Sequence, residues 1–208
     1  MTKIIFVRHG ETEWSRNREF RFRGRLDIPL TDHGKHQAQL TGQRLKNEEI
    51  TQVYSSPLKR AKDTATEIAV MHNLPVISHL GFIDLNFGTW QGELHEKIRT
   101  EHPELYNQWL TAPHTMEFPV GETLESVRER IEKALEELVT KHGGETVVVV
   151  THGAVLRVIY CFLKNVGNEH YWDLKMDNCG LLIVEYENGE FKILAENDNE
   201  HLQNIMPS

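Results

Sequence analysis

Cysteine is scarce in this 208-residue chain: Cys161 and Cys179 are its only two, far apart and outside any Cys-x-x-Cys pair. That excludes a disulfide framework, and both thiols are read as reduced. Positive charge is in deficit too. Lysine and arginine total 23 against 31 acids, a net charge of -8, so no broad basic face for nucleic acid is expected. Long apolar runs are missing as well. The stretch before Arg8 is too brief for a signal sequence, and Arg157 and Lys164 interrupt the most apolar late segment; no membrane association is expected, and the cytoplasm is the expected address. Neither an internal repeat nor a low-complexity linker breaks the pattern. At 39% hydrophobic and 26% charged residues, the chain suits one globular domain with a full core.

What is present is a repeated local design. Ile4-Ile5-Phe6-Val7 runs into Arg8-His9-Gly10, and Val147 to Val150 runs into Thr151-His152-Gly153. Continuous branched residues predict strands buried on both faces, as in a parallel sheet covered by helices. Ligands bind beyond the carboxyl ends of such strands, so both histidines are expected in one pocket. Elsewhere strand and helix periods alternate, predicting a three-layer α/β/α fold with a mostly parallel central sheet. Thr31 is the expected N-cap of a helix reaching about Asn47, Thr51 to Ser55 a strand, and Ser56-Pro57 the start of the next helix. Val76 to Leu80 reads as a third strand, followed by a loop from Gly81 to Gly92. Residues 93–120 are irregular, with Pro113 and Pro119 flanking an exposed-looking Met116 and Phe118, and read as a small cap. Leu124, Val127, Ile131, Leu135 and Leu138 keep the spacing of an amphipathic helix ended by Gly143-Gly144. Leu181 to Tyr186, Asn188-Gly189 and Phe191 to Leu194 predict a hairpin that adds an antiparallel edge strand.

These positions define a chemistry. A neutral imidazole is a good nucleophile near neutral pH and forms covalent intermediates, which suits His9. Guanidinium groups match phosphate oxygens with paired donors, which suits Arg8, beside His9, and Arg60, near a helix N-terminus. The other arginines of the loop, Arg16, Arg18, Arg21, Arg23 and Arg25, read as a solvated basic stretch. His152 offers a hydrogen bond to a transferring group, and Asp84 is the candidate acid for a departing oxygen. The remaining ten histidines, including His95 and His142, show no ligand spacing and are assigned no role, with no metal expected. Trp90, Tyr106, Trp109, Met116 and Phe118 read equally as a pocket mouth or as a packed cap, and Tyr171 and Trp172 as core.

Five ordered blocks resemble the histidine phosphatase superfamily, the phosphoglycerate mutase-like fold: Arg8 to Trp14, Gly24 with Leu26 to Thr31, Tyr54 to Ala61, Gly88 to Gly92, and Val150 to Gly153. The resemblance runs nearly end to end and implies one domain over 1–208 with the cap at about 93–120. It implies a phosphohistidine on His9, a phosphate pocket of Arg8, Arg60 and His152, substrate contacts from Ser15, Arg23, Gly24 and Gly153, and no metal or other cofactor. The tail, Asn178-Cys179-Gly180 and Asn197-Asp198 ahead of His201, resembles the bacterial broad-specificity and α-ribazole phosphatases. The chain is short for a mutase, so hydrolysis of a small phosphorylated metabolite by a metal-independent phosphomonoesterase is the expected activity. Phosphoglycerate mutase-type transfer, a weakly active phosphate-ester binding module and, last, a metal-dependent hydrolase are the rivals. Two positions depart from the family pattern. Ser15 stands where many members have asparagine, with Asn17 two residues on, and Asp84 where a glutamate acid is usual. The shorter side chain retracts the carboxyl by roughly 1.5 Å, a misplacement that can cost about a hundredfold in rate.

Overall fold

A computed structural model describes residues 1–16 and 20–205; Asn17, Arg18 and Glu19 lie outside the described residues. The expected strands form one six-stranded sheet: β1 (Thr2–Arg8), β2 (Ile50–Ser55), β3 (Val76–Ser78), β4 (Thr146–Thr151), β5 (Leu181–Glu187) and β6 (Glu190–Asp198). Their spatial order is β3-β2-β4-β1-β5-β6. The first four are parallel, while β5 runs antiparallel to β1 and β6 antiparallel to β5.

Alternation along the two central strands explains the layers. Ile4, Phe6, Val147 and Val149 feed one core, and Ile5, Val7, Val148 and Val150 feed the other, as a two-residue period demands. The first core is closed by α6 (Leu124–Lys141) and α7 (Gly153–Leu163), the second by the inward faces of α2 (Asp32–Leu45) and α3 (Lys59–Ala69). A four-residue helix, α1 (Glu13–Arg16), follows the first strand end. Register then sets the site. Arg8 pairs with Thr151 across β1 and β4, so His9 and His152 leave the sheet side by side.

Several local expectations hold. Thr31 caps α2, its Oγ1 accepting from the Gly34 amide at 2.9 Å and donating to Glu11 Oε1 at 2.8 Å. The hairpin turns through Asn188 and Gly189, both left-handed. Cys161 and Cys179 are free and buried. No helix among the described residues is long and apolar enough to cross a membrane.

Others give way to long-range contacts. The helix expected from Ser56 starts at Lys59, because its first amide is capped from afar: Asp27 Oδ1 accepts from the Lys59 amide at 2.7 Å. A carboxylate there also suits the positive end of the helix dipole. The third strand stops at Ser78, since His79 turns the chain with its Nδ1 accepting from the Gly81 amide. Residues 93–120 carry α4 (His95–Glu101) and α5 (Pro103–Thr111). There Met116 and Phe118 are buried, not exposed, with Phe118 edge-on against Phe87, Trp90 and Trp109. Conversely Trp172 is 39% exposed rather than core, while Tyr171 is buried.

One close approach fixes the turn after β1. A Cβ on Gly34 would collide with the Glu11 carbonyl, and a Cβ on Gly10 with the Gly34 carbonyl, so two backbones interlock with no room for a side chain. Gly34→Ala is therefore expected to destabilise the protein by about 1–3 kcal/mol, as overpacking does. Thermal unfolding of that variant reads the loss, and an unchanged melting temperature would contradict the interlock.

Candidate active site

His9 follows β1, its amide donating to the Thr151 carbonyl at 2.9 Å. Its Nδ1 lies 2.7 Å from the Gly10 carbonyl. A carbonyl only accepts, so Nδ1 carries the proton and the Nε2 lone pair is left free. Burial, and then Arg60, Arg23 and Arg8, push the imidazolium well below its usual 6.5; the ring is neutral at neutral pH. His152, with ring centroid 5.2 Å from that of His9, is held neutral likewise by burial and Arg60. Its Nε2 lies 2.7 Å from Ser56 Oγ, and its Nδ1 sits 3.5 Å from Asp84 Oδ2.

Arg60 emerges in the first turn of α3, fully buried. Its Nη1 donates to the Leu26 carbonyl at 2.8 Å, and its Nη2 to the Gly24 carbonyl at 2.7 Å and to Asp84 Oδ2 at 2.9 Å. Gly24 supplies that carbonyl from a left-handed conformation, φ 52°, and a Cβ there would strike Gln91. Arg8 donates through Nη1 to the Met176 carbonyl at 2.5 Å. Burial and the neighbouring Arg23 and Arg157 pull the Arg8 guanidinium down to about 9, and burial pulls Arg23 to about 10, so both stay charged at neutral pH. Asp84 moves the other way. Burial raises its carboxyl above the usual carboxylate range against the opposing pull of Arg60 and Arg23.

After these bonds are assigned, Arg8 Nε, Arg60 Nε and His152 Nδ1 remain buried without a hydrogen bond, His152 Nδ1 having only the 3.5 Å approach of Asp84 Oδ2. Orphaned buried donors are costly and rare, and here three come from one neighbourhood. Beside them opens a cleft of about 390 Å³ lined by Arg8, His9, Ser15, Arg23, Gly24, Asp84 and Gly153. Every residue expected at the site thus belongs to one neighbourhood, with Arg60 and His152 behind the wall. Ser15 contributes less than its position suggested, since its Oγ donates to the Thr12 carbonyl at 2.8 Å and accepts from the Thr12 amide at 2.8 Å. Gly153 lies beside Arg8: a Cβ there would meet Arg8 Nε at 3.4 Å, an ordinary van der Waals contact.

The family model of the histidine phosphatase superfamily (branch 1) matches residues 4–199. The chain is 41% identical over 202 residues to phosphoserine phosphatase 1 of Hydrogenobacter thermophilus, covering 97% of this chain and 95% of that one. It is 35% identical to the metal-independent phosphoserine phosphatase of Arabidopsis thaliana, over 99% and 85% of the two chains. The solved structure of Bacillus stearothermophilus YhfR superposes with a TM-score of 0.92 at 31% identity, over 98% of this chain and 100% of that one. The chain belongs to the histidine phosphatase superfamily.

Its fold is accordingly the phosphoglycerate mutase-like one, and its activity is that of a phosphoric monoester hydrolase. Within this histidine phosphatase the sequence missed several cleft residues. Arg21 and Arg23 line the cleft rather than forming a solvated loop, and Arg25 bonds inward. Arg157 lies 4.8 Å over the Trp172 ring. His95, assigned no role, stacks on Phe22 at 3.8 Å in the cleft wall, and burial lowers it to about 4. Ser56 was read as a helix cap; its hydroxyl accepts from the Leu58 amide at 3.3 Å and meets His152 instead. Asn178 holds the His9 carbonyl at 2.9 Å. No local periodicity marks these residues, because each acts on a partner far away in sequence. Among the described residues no three His, Cys, Asp or Glu gather as metal ligands.

Proposed function

We propose that the protein hydrolyses phosphoserine, or a close phosphorylated amino or hydroxy acid, without a metal, through a phosphohistidine on His9. The observation that carries this reading is the trio of unpartnered donors, Arg8 Nε, Arg60 Nε and His152 Nδ1, which a phosphoryl group's oxygens would satisfy together. The substrate class draws on the names of the two phosphoserine phosphatase relatives and on the charge of the cleft. Among the described residues, Arg8, Arg21, Arg23, Arg157 and Lys175 outnumber Asp84 and Asp177 along it, which suits a carboxylate in addition to the phosphate.

In the proposed cycle His9 Nε2 attacks phosphorus in line, forming the N–P bond as the ester P–O bond breaks. Protonated Asp84 gives its proton to the departing serine oxygen. The resulting Asp84 carboxylate then takes a proton from water, whose oxygen attacks phosphorus and releases phosphate and neutral His9. Ser56 donates to His152 Nε2, keeping the His152 proton on Nδ1, where it serves the phosphoryl oxygens. Arg23, Gly24 and Gly153 border the same group, and Ser15 supports the loop that carries Arg23. The segment 93–120 serves as the cap of a single domain, its Trp109 facing the leaving group.

The test is hydrolysis of phosphoserine in excess chelator across pH. Asp84 must be protonated and its carboxyl is raised, so kcat/KM falls as pH rises through that raised value. His9 must be neutral, so the acid-side loss begins only well below 6.5. Asp84→Asn is expected to lower kcat/KM by about 10²–10⁴ and to remove the alkaline limb. Activity that vanishes in chelator, or an alkaline limb unchanged in Asp84→Asn, would refute the mechanism.

A further inference from the structure

Asp84 sits on a loop, and its carbonyl is held as well as its carboxyl. Two arginines reach that carbonyl from different parts of the chain: Arg25 Nε at 3.2 Å, from the segment that carries Gly24, and Arg130 Nη2 at 3.4 Å, from α6. Both also grip one carboxylate. Glu122 Oε1 lies 2.8 Å from Arg25 Nη2 and 3.2 Å from Arg130 Nε. Its Oε2 accepts from the Asn86 amide at 3.0 Å, while its own amide donates to the Asn86 carbonyl at 2.9 Å. Glu122 thus stands behind the loop and ties both guanidiniums to it. The group is only partly exposed, at 18% for Glu122 and 19% for Arg130, so solvent screens it less than a surface pair.

We propose that Glu122 is a positioning residue for the acid step: with Arg25 and Arg130 it fixes the Asp84 backbone so that the carboxyl reaches the leaving oxygen. The inference rests on the reading of Asp84 as the proton donor. Glu122 touches neither phosphate pocket nor nucleophile; its partners are the backbone flanking Asp84 and the arginines on the Asp84 carbonyl. An aspartate has less reach than a glutamate, so its Cα must be placed more tightly, and a buttress on the main chain does that without consuming a carboxyl oxygen. Removing the charge of Glu122 loosens the loop, and the cost falls on proton transfer alone.

The experiment compares kcat/KM for phosphoserine, whose alkoxide leaving group needs a proton, with kcat/KM for p-nitrophenyl phosphate, whose phenolate does not. kcat/KM reports the steps through phosphohistidine formation, and the ratio of two substrates on one preparation cancels any loss of folded protein. Glu122→Gln is expected to lower the phosphoserine value by about 10- to 100-fold, the scale of an ångström-sized misplacement, and the aryl value by no more than about twofold. Arg130→Lys keeps the charge and loses the fork, and shifts the ratio in the same direction. Asp84→Asn, run in parallel, separates two failures. If Asp84→Asn discriminates between the substrates and Glu122→Gln does not, the positioning role is wrong. If Asp84→Asn itself fails to discriminate, the acid reading falls and the positioning role with it.

Discussion

His9→Ala folds, retains affinity for phosphoserine and loses turnover, with kcat down by roughly 10⁴ or more, the scale seen when a nucleophile is deleted. Folding is spared because, among the described residues, the ring's one hydrogen bond is Nδ1 to the Gly10 carbonyl, worth about 1 kcal/mol net. The backbone bonds that hold residue 9, to the Thr151 carbonyl and from Asn178 Nδ2, do not involve the ring. Affinity is spared because Arg8, Arg60 and His152 keep their donors. The decisive readout is a reaction with labelled substrate quenched in alkaline denaturant, because a phosphohistidine is lost in acid. The unaltered protein accumulates an acid-labile, base-stable phosphoprotein, and the variant accumulates none. A variant that still carries that label, or that keeps most of its activity, would move the nucleophile elsewhere, and His152 is the nearest other imidazole.

How much of this was legible in the sequence follows from the range of each interaction. The apolar runs of β1 and β4 are unmistakable because burial on both faces leaves no polar position to blur them, and a histidine at each end inherits its place from the strand. Thr31 is readable because its hydroxyl serves an amide three residues on. Where the partner lies far off, local rules mislead. Ser56 has the chemistry of a cap, but its hydroxyl meets His152, 96 residues away, while α3 takes its cap from Asp27. Met116 and Phe118 sit between prolines and look exposed, yet both are buried, Phe118 against three aromatic rings. Trp172 has the composition of core and instead stands at the cleft mouth beneath Arg157. The Arg25, Glu122 and Arg130 cluster spans more than a hundred residues and leaves no local pattern at all. The strand ends carry His9 and His152 in readable form; the loop that carries Asp84 is specified by tertiary contacts.

The same logic makes Arg60→Met the most damaging change to the pocket as a whole. Arg60 is wholly buried and holds three oxygens, those of Gly24, Leu26 and Asp84. Removing one member of a buried ion pair costs about 3–5 kcal/mol, because the other charge is stranded. Asp84 is 7% exposed at its side chain, and its burial already raises its carboxyl, so the loss of Arg60 drives it further toward the neutral form. Two effects follow together: thermal stability drops, and kcat/KM falls by roughly 10³ as the guanidinium proposed to bind the phosphoryl group is lost. They are separable. In the double variant Arg60→Met with Asp84→Asn no carboxylate is stranded, and much of the lost stability returns while activity does not. Equal melting temperatures for the single and double variants would mean that the Gly24 and Leu26 carbonyls, rather than Asp84, bear the cost. An Arg60→Met protein with near-normal kcat/KM would remove Arg60 from the phosphate pocket altogether.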